Sequence, residues 1–190
     1  MNPYLDYNPK HTNKEKYLKM YKATKRPRSM IDLGSGSGMD SFAWSHHVDS
    51  VYGVDPSERM LKRARKDKNK YFKDSNIRFY KGDLLNIPIK KVDMIFVKNV
   101  LHFSKNIKET LDNVMNHTNN YLVIIEPGYK SKFGNDIYNP GTKLFDKKEH
   151  KKKIDQLKRT RKGIKEYIKT CDVVVEKESD LKYFVIIKKK

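Results

Sequence analysis

Cysteine and long apolar runs are almost missing from this sequence of 190 residues. Cys171 is the only cysteine, which excludes an internal disulfide and makes a cytoplasmic location the simplest expectation. No run of about 18 apolar residues occurs, so neither a membrane-spanning helix nor a membrane partner is expected. The first residues, Met1 to Tyr4, also lack the basic and then apolar pattern of a signal peptide.

Acidic residues are scarce as well: 23 Asp and Glu face 42 Lys and Arg, for a formal net charge of +19. The basic residues cluster at 62–73, 147–169 and 188–190. Such clusters favour a polyanionic partner, above all RNA. The alternative is a solvated surface in a chain whose Lys, Asn, Ile and Tyr are all abundant, as AT-rich coding sequences tend to produce.

Short apolar runs alternate with helical patterns along the chain, which predicts an α/β domain with a mostly parallel sheet. The length fits one domain spanning 1–190. The sequence predicts strands at 30–33, 51–54, 77–80, 92–97, 121–125, 173–175 and 183–187. It predicts helices at 13–24, 40–47, 57–71, from 106 onward, and at 146–170, the last with Gly163 as a candidate break. The two closing strands follow each other so tightly that at least one should be antiparallel.

The most informative stretch runs from Met30 to Asp40, where the first predicted strand meets three glycines at alternate positions. Glycines after a buried strand let a ligand approach bare backbone. The dinucleotide-binding fingerprint needs its third glycine at the position of Met39, so this spacing disfavours that class. The arrangement Asp-x-Gly-x-Gly-x-Gly instead resembles motif I of the class I S-adenosylmethionine-dependent methyltransferases.

This resemblance implies a Rossmann-like sheet of seven strands with an antiparallel C-terminal strand, helices on both faces, and S-adenosylmethionine as the cofactor. Asp32 would face the ammonium group of the cofactor, Asp55 the ribose hydroxyls and Asp83 the adenine amino group. Lys98 and Asn99 would lie near its methionine end. The predicted cofactor-binding set is Asp32, Gly34, Gly36, Gly38, Asp40, Asp55, Pro56, Asp83, Leu84, Lys98 and Asn99.

The residues after the fourth predicted strand narrow the choice of acceptor. DNA amino-methyltransferases carry Asn-Pro-Pro-Tyr there, whereas this chain has Lys98-Asn99-Val100-Leu101. Cytosine-C5 enzymes need a cysteine nucleophile near the same place, and Cys171 lies far from it in sequence. Neither class is therefore expected.

Three local matches resemble the mRNA cap guanine-N7 methyltransferases: Asp40 and Trp44 after the glycines, Leu101-His102-Phe103, and the run Phe133 to Tyr138. This resemblance implies that His102, Phe103 and Tyr138 line the catalytic guanine site, and that a capping or RNA-processing protein is a partner. Guanine N7 carries its lone pair at neutral pH, so positioning would supply most of the catalysis. The chain departs from that family at Ser37, where the family has lysine, and at Asn99, where it has an aromatic residue.

Two other functions remain open. Leu101-His102 and Glu126-Pro127-Gly128 also resemble small-molecule methyltransferases, and a non-catalytic subunit that only binds the cofactor would carry the same motif. Within the domain, residues 1–28 are expected to form a helical lid, and 127–170 an acceptor-side loop and basic helix. No metal site is expected, because the pair His46-His47 has no Cys or carboxylate cluster beside it.

Overall fold

The computed structural model describes residues 14–128, 147–179 and 182–190, with side chains from residue 15 and, in the second range, from 151. The strands are β1 (Ser29–Leu33), β2 (Ser50–Asp55), β3 (Ile77–Lys81), β4 (Val92–Lys98), β5 (Thr118–Pro127), β6 (Asp172–Glu178) and β7 (Lys182–Lys188). The helices are α1 (Lys14–Ala23), α2 (Met39–Trp44), α3 (Glu58–Tyr71), α4 (Ile107–Asn116) and α5 (Lys147–Ile168), with a short 3-10 turn at Leu101–Phe103.

The seven strands form one sheet in the order β3-β2-β1-β4-β5-β7-β6. The pairs from β3 to β5 are parallel, and β7 is antiparallel to both of its neighbours. The predicted fold class is therefore confirmed. The strand order reverses between β1 and β4, and ligands of open α/β sheets bind beyond the carboxyl ends of the strands at such a switch point.

Two apolar clusters show that both sheet faces are covered. One cluster joins Met30, Phe96 and Ile186 of the sheet to Tyr17 of α1 and Trp44 of α2. The other cluster packs the opposite sheet face against α4 and α5, through residues that include Ile95, Leu111, Ile164 and Tyr183. Strands β4 and β5 are buried along nearly their whole length, which explains why their sequences are continuous apolar runs.

Gly163 does not break the basic helix, because α5 is continuous from Lys147 to Ile168. A Cβ atom at Gly163 would lie 2.9 Å from Cβ of Ile107 on α4. The glycine thus permits the close approach of α5 to α4, and the expected interruption is wrong. Within the described residues, none of the helices combines the length and the apolar character needed to cross a bilayer.

Candidate functional site

The glycine turn lies at the switch point and has an unusual backbone. Gly34, Gly36 and Gly38 have φ values of 81°, 54° and 88°, in the left-handed region that favours glycine. The amide groups of Gly34 and Ser35 donate hydrogen bonds to the carbonyl of Val54, at 2.8 and 3.0 Å. These bonds fix the turn to the end of β2.

The glycines have different neighbours. A Cβ atom at Gly34 would lie 2.2 Å from Cγ2 of Val100, and one at Gly38 would lie 2.9 Å from the ring of Phe79. A Cβ atom at Gly36 would meet only Cε of Met60, at 3.5 Å. Gly34 and Gly38 are therefore required by packing, whereas a Cβ atom at Gly36 would make only an ordinary van der Waals contact.

Replacing Gly34 by alanine should destabilise the protein by about 2 to 3 kcal/mol, because the new methyl group meets Val100 in a backbone conformation that favours glycine. Gly36→Ala should cost only about 1 kcal/mol, from its φ value alone. Urea unfolding would measure both. The double variant Gly34→Ala/Val100→Ala should regain part of the loss; a purely additive double variant would contradict the steric explanation.

Asp55 connects the glycine turn to α3. Its Oδ2 accepts a hydrogen bond from the amide of Gly36, and its Oδ1 accepts one from the amide of Ser57, both at 2.8 Å. Ser57 then caps α3 by accepting from the amide of Met60. Each carboxylate oxygen has further lone pairs, so Asp55 can accept additional hydrogen bonds from a diol while it holds the turn in place.

Asp32 is 2% exposed and accepts a hydrogen bond from the hydroxyl of Ser41 at 2.6 Å. Burial, together with the negative charge of Asp40, raises the pKa of Asp32 to about 7. Asp40 itself is held by Nζ of Lys98, at 2.7 and 3.0 Å, and by the hydroxyl of Tyr17. Asp40 thus links Lys98 to α1, and its charge acts on the buried Asp32.

Stability should depend on pH through Asp32. An unfolded Asp ionises near pH 4, whereas the folded carboxyl keeps its proton up to about pH 7. Relative to an Asp32→Asn variant, the wild-type protein should therefore lose stability as pH rises through this interval and change little above it. Urea unfolding of both proteins between pH 4 and 8 measures this; parallel profiles would contradict it.

A cleft of about 480 Å³ opens beside the glycine turn. From the predicted set, Gly34, Pro56, Asp83, Leu84 and Phe103 line it. Oδ1 of Asp83 accepts hydrogen bonds from the amides of Leu85 and Asn86, both at 2.8 Å, and these bonds keep the pKa of Asp83 below its ordinary value. Asp83 is therefore an ionised acceptor at one end of a mainly apolar cleft.

Glu126, which is 3% exposed at the end of β5, has a role that its sequence context did not indicate. Its Oε1 accepts hydrogen bonds from the amides of Val100 and Leu101, both at 2.9 Å, and its Oε2 lies 2.8 Å from Nδ1 of His102. Gln156 of α5 donates a hydrogen bond to the carbonyl of His102. The signals in the sequence were a carboxylate at the end of an apolar strand and the resemblance of Glu126-Pro127-Gly128 to small-molecule methyltransferases, and neither indicated these hydrogen bonds.

His102 and Phe103 therefore play different parts. The imidazole of His102 is buried and faces Glu126, whereas Phe103 is 70% exposed at the rim of the cleft. Their rings are 4.2 Å apart. Tyr138 and the run 133–138 lie outside the described residues, so their predicted place in the acceptor site stays a prediction.

The other predicted cofactor residues are not part of the cleft lining: Asp32, Gly36, Gly38, Asp40, Asp55, Lys98 and Asn99. Asn99 has a φ of 57° and donates its amide to the carbonyl of Ile125, which turns the chain at the end of β4. His47 stacks on Tyr21, and His46 meets Phe72 edge-on. The part of the chain that the structure describes has no group of three His, Cys, Asp or Glu arranged for a metal ion.

S-adenosylmethionine fits the residues that are present. The cleft has the size of a small-molecule site and is mainly apolar, with acceptors at defined points. Asp83 lines the cleft and can accept from the adenine amino group. Asp55, proposed for the ribose hydroxyls, and Asp32, proposed for the ammonium group, adjoin the glycine turn outside that lining. These assignments remain proposals for each residue.

Comparison with known proteins gives one family. A family model described as a methyltransferase domain matches residues 25–178. A stretch of 89 residues is 34% identical to CRG1 of Saccharomyces cerevisiae, whose name gives it as a probable S-adenosylmethionine-dependent methyltransferase. That stretch covers 45% of this chain and 30% of the yeast protein.

Two solved structures show the same fold. The first is a Methanococcus maripaludis protein (mmp1179) assigned as an S-adenosyl-L-methionine-dependent methyltransferase; its TM-score is 0.70 at 21% identity, covering 93% of this chain and 84% of that one. The second is magnesium protoporphyrin IX methyltransferase of Synechocystis PCC 6803 with bound SAH; its TM-score is 0.63 at 16% identity, covering 93% and 82%.

Proposed function

Since this chain belongs to the family of S-adenosylmethionine-dependent methyltransferase domains, we propose that it methylates a nucleobase nitrogen of RNA, with N7 of the mRNA cap guanine as the first acceptor to test. The observation that carries this proposal is the position of Phe103, a large aromatic ring left 70% exposed at the rim of the cofactor cleft. Exposed aromatic rings of this kind stack on unpaired bases.

Charged side chains of both signs lie near Phe103. The ring also lines a groove of about 880 Å³ between α4 and α5, together with Lys105, Lys108 and Arg159 and with the acidic Asp112 and Glu166. Asp112 is paired with Lys108, and Glu166 is paired with Lys169. The outer face of α5 adds a row of exposed cations at Lys151, Lys152, Lys158 and Lys162. Binding to phosphates through such residues should weaken steeply as the salt concentration rises. A base on Phe103 would thus have its backbone near the lysines of α5.

The chain's own residues would act mainly by positioning. Bound S-adenosylmethionine would supply a methyl group on a positively charged sulfur. The lone pair of a guanine nitrogen would bond to that methyl carbon in line with the carbon–sulfur bond, and SAH would leave. Guanine N7 needs no general base, which agrees with an imidazole of His102 that faces Glu126. Asp55 and the glycine turn would orient the cofactor, and Phe103 would hold the base plane against it.

A labelled-methyl assay tests the proposal. The full chain is incubated with labelled S-adenosylmethionine and capped RNA, uncapped RNA, the cap dinucleotide, or a panel of small metabolites. Label in capped RNA or the cap dinucleotide is the expected result. Label only in a small molecule would establish the second candidate function, which the small size of the cleft favours. Cofactor binding with no transfer until an RNA-processing protein is added would indicate a cofactor-binding subunit.

Phe103→Ala should raise the KM for an RNA acceptor about tenfold or more, because base stacking contributes about 1 to 3 kcal/mol. The affinity for SAH should change less than twofold. Val174→Ala is the matched control, because Val174 is also an exposed apolar residue but lies on β6, away from the cleft. Steady-state kinetics with both variants measures the effect; an unchanged KM in Phe103→Ala would remove Phe103 from the acceptor site.

A further inference from the structure

Lys98 and Lys182 lie on the same face of the sheet, near the carboxyl ends of β4 and β5. Lys98 at the end of β4 pairs with Ile125 of β5, which pairs with Phe184 of β7. Lys182 precedes Phe184 by two residues, so its side chain lies on the same face, opposite Pro127. This is the face that α1 covers.

A third lysine reaches this place from α1. Tyr17 is buried in the cluster on this face, and its hydroxyl donates to Asp40, which holds Lys98. Lys16 is the neighbouring residue and is partly buried, and its Nζ lies 5.8 Å from the centroid of the Tyr17 ring. Burial lowers the pKa of Lys16, the positive charges of Lys182 and Lys98 lower it further, and the negative charge of Asp40 opposes this shift in part. Burial and the charge of Lys98 lower the pKa of Lys182 in the same way.

We infer that Lys16, Lys98 and Lys182, the lysine cluster, bind a phosphate or carboxylate group carried by the acceptor. Asp40 offsets part of the repulsion among these partly buried ammonium groups, and a bound oxyanion would offset more of it while accepting charge-assisted hydrogen bonds. Lys98 also connects the lysine cluster, through Asp40, to buried Asp32 beside the glycine turn. An anion at this position would therefore lie close to the predicted methionine end of the cofactor.

The inference rests on the proposed function only in assigning the anion to the acceptor. The cap carries phosphates, and many small acceptors carry a carboxylate or a phosphate, so the lysine cluster suits either candidate function. The cofactor also carries a carboxylate, which is the second source of the same chemistry. The experiment must separate these two sources.

The test is calorimetric titration of the full chain with pyrophosphate, in the absence and in the presence of saturating SAH. Pyrophosphate should bind in both conditions with equal affinity. Lys182→Gln and Lys16→Gln should each weaken its binding about tenfold, and both should leave SAH affinity within twofold. Lys22→Gln is the control, because it removes one exposed charge from the same helix as Lys16.

Equal pyrophosphate affinity in the wild-type protein and Lys182→Gln would overturn the site. Competition between pyrophosphate and SAH would overturn the acceptor assignment, because the lysine cluster would then hold the carboxylate of the cofactor. Since these measurements need no turnover, they separate the two proposals: lysine-dependent pyrophosphate binding with no RNA methylation would reject only the RNA acceptor. RNA methylation without lysine-dependent binding would reject only the lysine cluster.

Discussion

Asp55→Ala should lower the affinity for S-adenosylmethionine at least about 100-fold. The carboxylate would accept two charge-assisted hydrogen bonds from the ribose hydroxyls, each contributing about 1.5 to 3 kcal/mol. It also accepts the amides of Gly36 and Ser57, so its loss frees the turn against which the cofactor lies. SAH carries the same ribose hydroxyls as S-adenosylmethionine, so isothermal calorimetry with SAH measures the effect.

Two controls separate binding from folding in this experiment. Asp55→Asn keeps the size of the side chain and an oxygen that can accept a hydrogen bond from an amide, but it removes the charge. Its affinity for SAH should therefore lie between those of the wild-type protein and Asp55→Ala. Asp74→Ala removes an exposed carboxylate before β3, away from the cleft, and should bind SAH normally. An Asp55→Ala protein that unfolds normally and keeps its affinity for SAH would refute the proposed role of Asp55.

Glu126→Ala should cost about 3 to 5 kcal/mol of unfolding free energy. The carboxylate is the acceptor for two buried amides and lies against Nδ1 of His102, so its removal takes the acceptor away from both amides. Urea unfolding gives the value. Methyl transfer should fall as well, because the 3-10 turn carries Phe103 to the rim of the cleft.

The isosteric variant Glu126→Gln tests the cause. Its amide oxygen can still accept from Val100 and Leu101, so we expect a loss of only about 1 kcal/mol. Glu58→Gln is the surface control, because Glu58 forms an exposed ion pair with Arg65, and its effect should stay within about 0.5 kcal/mol. Equal stability of Glu126→Ala and the wild-type protein would show that other groups can accept hydrogen bonds from the amides of Val100 and Leu101.

Local sequence patterns were sufficient to predict an element wherever a continuous segment of the chain is buried. The run from Val92 to Val97 is apolar because both faces of β4 are covered, and its length and neighbours already indicated a central strand. The glycine turn was equally visible, since its backbone conformation requires glycine at fixed spacing. The short connection between the last two strands predicted that at least one of them is antiparallel, and β7 is antiparallel to both of its neighbours.

Contacts between distant segments could not be predicted in this way. Glu126 and His102 are brought together only when β4 and β5 pair, and their residue types do not encode that contact. Gly163 resembles a helix break because the sequence shows only that a side chain is absent. It does not show that α4 packs against α5 at this position. Lys16, Lys98 and Lys182 come from three elements and formed no cluster in the sequence.

The sequence by itself therefore determined the sheet and the glycine turn, because these depend on periodicity and on residues at fixed spacing. The cofactor class followed from the resemblance of that turn to a known family motif. Only the tertiary structure decided which side chains face the cleft. Pairing of β4 with β5 buries His102 against Glu126 and leaves Phe103 exposed at the rim, and packing of α1 on the sheet brings Lys16 to Lys98 and Lys182. Orientation relative to a cleft depends on the packing of elements that are far apart in the chain.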